Sequence, residues 1–159
     1  MNNYFVILAA GKGIRFDKNK AKQLYNYKNK EIIEHSIDKS LNSKLFKKII
    51  VVTNNLNYFK KKKYHKLVSF IKGGKERSDS SLIALKHIKK FKPKNVLIHD
   101  AARPDFTAKL LNNLISQLKN NKAVVPIIYS KDTIKYKVKN ELFNLERKKA
   151  YLTQTPQAY

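Results

Sequence analysis

Short, continuously apolar runs alternate along this chain with stretches in which apolar residues recur three and four positions apart. The runs fall at 4–9, 48–53, 67–72, 95–99 and 123–128, as in Lys48-Ile49-Ile50-Val51-Val52 and Asn95-Val96-Leu97-Ile98. Runs this short and without polar alternation are expected of strands buried on both faces. Helical spacing occupies 31–41, the region near 58–63, 80–90 and 108–119. The last of these carries Leu110, Leu111, Leu114, Ile115 and Leu118 along one face. Strand and helix in alternation predict an α/β fold, a mainly parallel sheet with helices on both faces. Ligands of such sheets bind beyond the carboxyl ends of the strands.

One segment breaks the alternation. Thr133-Ile134-Lys135-Tyr136-Lys137-Val138 alternates, Lys139-Asn140 reads as a turn, and Glu141-Leu142-Phe143-Asn144-Leu145-Glu146 partly alternates back. This predicts a projecting β-hairpin arm over about 131–147, where another helix would be expected. A lone hairpin cannot bury both of its faces, so the arm is expected to pack on a second copy of the chain.

With 159 residues and 42% hydrophobic content, the chain reads as a single domain spanning 1–159 with a proper core. No run of 18 apolar residues is present, so no membrane-spanning helix is expected. The chain enters its first strand without a basic leader, and zero cysteines exclude disulfides and thiolate sites. Both features lead to the expectation of a cytoplasmic protein. The formal charge of +24 raises the alternative of a nucleic-acid-binding protein. However, lysine is spread over the whole chain and its tightest run, 60–63, reads as a solvated face, so no specific nucleic-acid partner is expected.

The scarce residues change the picture. Of 35 basic residues only four are arginine, and there are only four glycines. Three arginines and all four glycines lie in three segments that directly follow strand-like runs: Ala9-Ala10-Gly11-Lys12-Gly13-Ile14-Arg15, Gly73-Gly74-Lys75-Glu76-Arg77-Ser78 and His99-Asp100-Ala101-Ala102-Arg103-Pro104. Where lysine serves for general charge, a retained arginine marks a need for a planar, forked donor, as for phosphate. Glycine marks tight bends and close backbone approach. Together they predict one shared site for an anionic nucleotide.

The first segment lacks the third glycine of a dinucleotide fingerprint and the Gly-Lys-Ser/Thr of a P-loop. It is a small-residue turn whose N–H groups can cradle a triphosphate, with Arg15 and Lys22 to neutralise it. An ordinary strand-to-helix turn is the plain alternative. In the second segment the paired glycines precede a helix start at which Ser78, Asp79 or Ser80 can serve as N-cap; the glycines would let backbone approach a base or ribose. In the third, Asp100 at a strand end is placed to orient a phosphate-bound divalent ion. His35, His65, His87 and His99 show no metal-ligand spacing and read as surface or packing residues.

These segments resemble, in order and register, the 2-C-methyl-D-erythritol 4-phosphate cytidylyltransferase family of the non-mevalonate isoprenoid pathway. Further matches are Lys22-Gln23, Glu34-His35-Ser36, Ser80, Asp132-Thr133-x-Lys135 and Thr155-Pro156-Gln157. The match extends over essentially the whole chain. Enzymes that make CDP-ribitol are close relatives, so transfer to ribitol 5-phosphate is the alternative within enzymes. The resemblance implies a Rossmann-like nucleotidyltransferase using CTP, a polyol phosphate and Mg2+, acting as a homodimer joined through the arm.

Residue by residue, the resemblance implies that Ala9, Ala10, Gly11 and Gly13 line the triphosphate. Arg15 and Lys22 would stabilise charge at the reacting phosphorus. Gly74, Lys75 and Ser80 would surround cytosine and ribose, with Ala101 a further nucleotide contact. Asp100 would lie near Mg2+ and the acceptor, and Arg103 would shape the acceptor pocket. Thr133 and Arg147 would reach the acceptor phosphate across the dimer, with Thr155 nearby. In two respects the chain departs from the family pattern. Ala21 stands where a proline usually precedes the phosphate-binding lysine, and Tyr159 ends the sequence where relatives continue. A C-terminal truncation is therefore expected: either the chain is a fragment, or acceptor binding is impaired or activity lost altogether, with nucleotide binding the part expected intact.

Overall fold

The computed structural model of the chain describes residues 2–11, 13, 16–17, 20–62 and 64–159. It begins with β1 (Asn3–Leu8), followed by a small hairpin of β2 (Asn26–Tyr27) and β3 (Lys30–Glu31) that leads into α1 (Ile32–Asn42). Next come β4 (Lys48–Thr53), α2 (Leu56–Lys60), β5 (Val68–Lys72), α3 (Arg77–Lys89), β6 (Asn95–Asp100) and α4 (Ala108–Gln117). After α4 come only strands and a single 3-10 turn: β7 (Ile127–Tyr129), β8 (Lys135–Val138), β9 (Glu141–Asn144), β10 (Tyr151–Thr153) and β11 (Gln157–Ala158).

The central sheet has the order β11-β6-β1-β4-β5. Its four long strands run parallel, and β11 joins the β6 edge antiparallel. The two-residue period of β1 sends Phe5 and Ile7 to one face and Tyr4 and Val6 to the other. Phe5 and Ile7 pack with Ile33 and Ile37 of α1, Phe59 of α2, and Leu111 and Leu114 of α4. Tyr4 and Val6 pack with Ile50, Val52, Val96 and Ile98 against Ala84 and Ile88 of α3. Both faces are thus covered, which is why the strand runs carry no polar alternation. Local chemistry starts the helices: α1 and α3 open with reciprocal capping boxes at Glu31/Glu34 and Glu76/Asp79, and the Thr107 hydroxyl accepts from Leu110 N at 3.1 Å ahead of α4. Such caps satisfy N–H groups that the first turn leaves without partners.

The run at 123–128 does not become a fifth parallel strand. Val124 makes only an isolated bridge to Ala158, and β7 pairs with β10 in a separate two-stranded ribbon. Pro126 supplies the reason, since it has no N–H to donate to a ladder. The predicted arm is present as the antiparallel pair β8–β9. Every residue of both strands is exposed.

Candidate functional site

Three loops leave the same edge of the sheet, after β6, β1 and β5, and backbone hydrogen bonds fasten the start of each to the end of the adjacent strand. Ala9 N donates to Val52 O at 2.7 Å, Ala101 N to Leu8 O at 3.0 Å, and Gly73 N to Thr53 O at 3.2 Å. Between the loops after β1, β5 and β6 lies a cavity of about 340 Å³. Ala9, Ala10, Gly11 and Gly13 line it from the first loop, with Lys22 beside them. Gly74, Lys75 and Ser80 line it from the second, and Asp100 and Ala101 from the third. Arg15 lies outside the described residues.

The first loop is held from below. Gln23, nearly buried, donates from Nε2 to Ala9 O at 2.8 Å and Gly11 O at 3.0 Å. The Asn54 amide reaches Ala10 O at 3.3 Å and Gly74 O at 3.4 Å, tying the first loop to the second. Gly13 has a φ of +66°, the left-handed region that glycine enters without cost. The Lys22 ammonium lies 5.4 Å from the centre of the Phe16 ring, an arrangement that favours a cation over an aromatic face.

The paired glycines also permit close approach within the protein itself. A Cβ at Gly73 would sit 2.4 Å from Ala10 Cβ, and one at Gly74 would sit 2.2 Å from Asp79 Cβ. The close approach they permit is therefore between the protein's own segments, the first loop and the start of α3. Ser80 belongs to the same packing: its buried hydroxyl accepts from Gly74 N at 3.1 Å. Helix, turn and phosphate-loop candidate form one rigid unit.

Asp100 is clamped by two guanidinium groups. Arg77 Nε donates to Oδ1 at 2.9 Å, and Arg103 Nε lies 3.6 Å from Oδ2. Arg103 Nη1 also donates to Gln154 Oε1 at 2.7 Å. Arg103 and Thr155 border a second cavity, of about 440 Å³, which meets the first at Ala102. Beneath them His99 is fully buried, with its ring against Phe5 and Phe106 and Nδ1 2.9 Å from the Thr155 hydroxyl. Burial pushes its pKa down to about 4. Thr133 and Arg147 meet on the arm, Nη2 to Oγ1 at 3.3 Å, and border neither cavity.

Arg77, Gln23 and His99 were not among the residues assigned roles from the sequence. Arginine scarcity was the signal for Arg77, which also borders the first cavity. Gln23 and His99 carried no signal beyond their motifs, because their partners lie 14 and 56 positions away in the chain.

Solved structures share this architecture. The 4-diphosphocytidyl-2C-methyl-D-erythritol synthase of Anaerococcus prevotii superposes with a TM-score of 0.85 at 28% identity, over 99% of this chain and 70% of that one. The bifunctional IspDF of Campylobacter jejuni gives 0.84 at 31%, over 99% of this chain and 40% of that one. Fold and site thus define a Rossmann-like nucleotidyltransferase. The family model for IspD, 2-C-methyl-D-erythritol 4-phosphate cytidylyltransferase, matches residues 4–159, and the chain belongs to that family. It is 36% identical to the cytidylyltransferase of Caldicellulosiruptor bescii over 73% of that protein. It is 48% identical to the bifunctional enzyme IspD/IspF of Pelagibacter ubique, of which it spans 43%.

Proposed function

We propose that this chain transfers the cytidylyl group of CTP to the phosphate of 2-C-methyl-D-erythritol 4-phosphate. A phosphate oxygen of the acceptor attacks the α-phosphorus, the bond from that phosphorus to the oxygen bridging to the β-phosphorus breaks, and pyrophosphate leaves with the electron pair. The supporting observation is the convergence of the Ala9–Gly13 loop, Lys22, the Gly74–Arg77 turn and Asp100-Ala101 on one cavity at the carboxyl edge of the sheet. An anionic acceptor needs no protein nucleophile, so positioning and charge stabilisation carry the catalysis. The loop amides and Lys22 take the triphosphate, and Arg15 follows Gly13 closely enough in sequence to join them. Gly74, Lys75 and Ser80 are assigned to the base and ribose. Arg103 and Thr155, on the adjoining cavity, are assigned to the acceptor.

The donors fit a magnesium ion that arrives on the triphosphate. Among the described residues no cluster of three acidic or histidine side chains could hold an ion unaided. Mg2+ commonly takes only one or two carboxylates and fills its shell with phosphate and water. Asp100 is such a carboxylate, with lone pairs to spare beside its Arg77 contact. Bound there, the ion would neutralise phosphate charge.

The arm is assigned to a homodimer in which Thr133 and Arg147 serve the partner's acceptor site. Its apolar side chains support this: Tyr136, Val138, Leu142 and Phe143 are exposed, as are Ile127, Tyr129 and Leu152 on the neighbouring ribbon. Tyr136, Val138 and Phe143 share one face of the arm by its register, and exposed apolar side chains grouped in this way mark an interaction site.

Pyrophosphate release from CTP and Mg2+ with methylerythritol phosphate, and separately with ribitol 5-phosphate, tests the reaction. Release with the first acceptor is expected, falling by about 10²–10³ in Lys22→Ala and in Arg15→Ala. Release with ribitol phosphate alone replaces the acceptor. Absence of CTP binding, together with salt-sensitive duplex binding, replaces the reading altogether.

A further inference from the structure

Two of the four arginines of this chain converge on one carboxylate, and the pairing does little for stability. The Arg77 and Arg103 side chains are about half exposed and that of Asp100 about a third, and ion pairs so open to solvent contribute little to folding. Lysine would serve for charge alone, as it does at 31 of the 35 basic positions. What arginine adds is direction, because the Nε–H of a planar guanidinium fixes the line along which it meets an oxygen. Arg77 is well placed to use it. It occupies the first turn of α3, whose backbone is pinned by the Glu76/Asp79 capping box and by the Gly74–Ser80 contact. Its link to Asp100 runs from Nε alone, and among the described residues its terminal nitrogens have no hydrogen-bond partner.

We propose that Arg77 is a positioning residue that sets the Asp100 carboxylate in the wall of the first cavity. Held at Oδ1 from the α3 side, the carboxylate turns Oδ2 toward Arg103, which borders the second cavity. Arg103 is itself fixed by Gln154, so the carboxylate lies between two anchored guanidinium groups. Asp100 is thereby oriented before nucleotide enters, and the cost of ordering it is not deducted from binding. This inference rests on the reading that the first cavity takes CTP.

A double-mutant cycle in CTP affinity tests it, using calorimetry at saturating magnesium on the parent, Arg77→Met, Asp100→Asn and the double variant. If Arg77 acts through Asp100, Arg77→Met weakens CTP binding by about 10-fold or more in the parent, as for a lost hydrogen bond to a charged group. In the Asp100→Asn background the same change then costs no more than about 3-fold, the residual effect of one fewer cation near an anion. The melting temperature of Arg77→Met stays within a few degrees of the parent, as expected for a half-exposed side chain. Equal losses in both backgrounds overturn the proposal and make Arg77 a direct ligand contact. Absence of any effect in the parent overturns it as well. A parent that binds no CTP removes both this inference and the functional reading, whereas multiplicative losses remove this inference alone.

Discussion

Gln23 and Ala9 are 14 positions apart, yet the Gln23 amide nitrogen donates to the Ala9 carbonyl at 2.8 Å and, from the same atom, to the Gly11 carbonyl at 3.0 Å. One buried side chain thus holds two carbonyls of the loop that lines the first cavity. Its neighbour Lys22 faces that cavity, so the short turn at Lys22–Leu24 both anchors the loop and supplies it with a cation.

Gln23→Leu keeps most of the volume but leaves those carbonyls without their donor. We expect a loss of about 1–3 kcal/mol in unfolding free energy and weaker CTP binding, because the loop is no longer held. Urea denaturation and calorimetry measure both. Unchanged stability would show that the loop is fixed by the backbone alone.

Gly73→Ala and Gly74→Ala should each cost about 1–3 kcal/mol, the usual penalty for forcing an extra methyl into packed space. Gly11→Ala should stay within about 0.5 kcal/mol, since among the described residues nothing lies within 4 Å of a Cβ there. Urea midpoints rank the three variants, and a Gly11→Ala loss as large as the other two contradicts the packing described.

His99 gives stability a pH dependence of definite sign. Burial lowers its pKa from 6.5 to about 4 in the folded chain. Between those values the unfolded chain takes up a proton that the folded chain refuses, so stability falls as pH drops through this window. The full effect approaches roughly 3 kcal/mol near pH 4 and vanishes above about pH 7. Carboxylates add their own acid sensitivity, so the comparison is with His99→Asn. Urea midpoints from pH 7.5 to 4.5 should fall more steeply in the parent than in the variant; parallel slopes would contradict the assignment.

Leu142, 65% exposed on β9, tests the arm. If the arm joins two subunits, Leu142→Asp places a charge in an apolar interface and shifts sedimentation toward the monomer. It should also reduce turnover at low protein concentration and leave CTP affinity intact. A sedimentation profile identical to the parent's argues against the arm as the contact.

The strand runs at 48–53 and 95–99 were legible because burial on both faces removes polar residues from a strand whatever its neighbours. The hairpin was legible from its alternation and turn. The run at 123–128 misled for a related reason: an apolar run states that a segment is buried or paired, and it was Pro126 that decided against a place in the sheet. The glycine pairs were legible as positions of close approach, but Gly73 and Gly74 approach Ala10 and Asp79, which no spacing rule could specify.

Taken alone, the order of residues determined which segments become strands and helices and that scarce arginines and glycines follow the strands, because hydrophobic period and backbone freedom are local properties. Tertiary structure decided which of those loops meet. The order β11-β6-β1-β4-β5 sets the ends of separate strands side by side, and that arrangement brings Arg77 to Asp100 and His99 to Thr155, while the fold of the segment after β1 brings Gln23 to Ala9. Such contacts depend on strand order and register, which follow from how the whole chain packs and not from any window of its sequence.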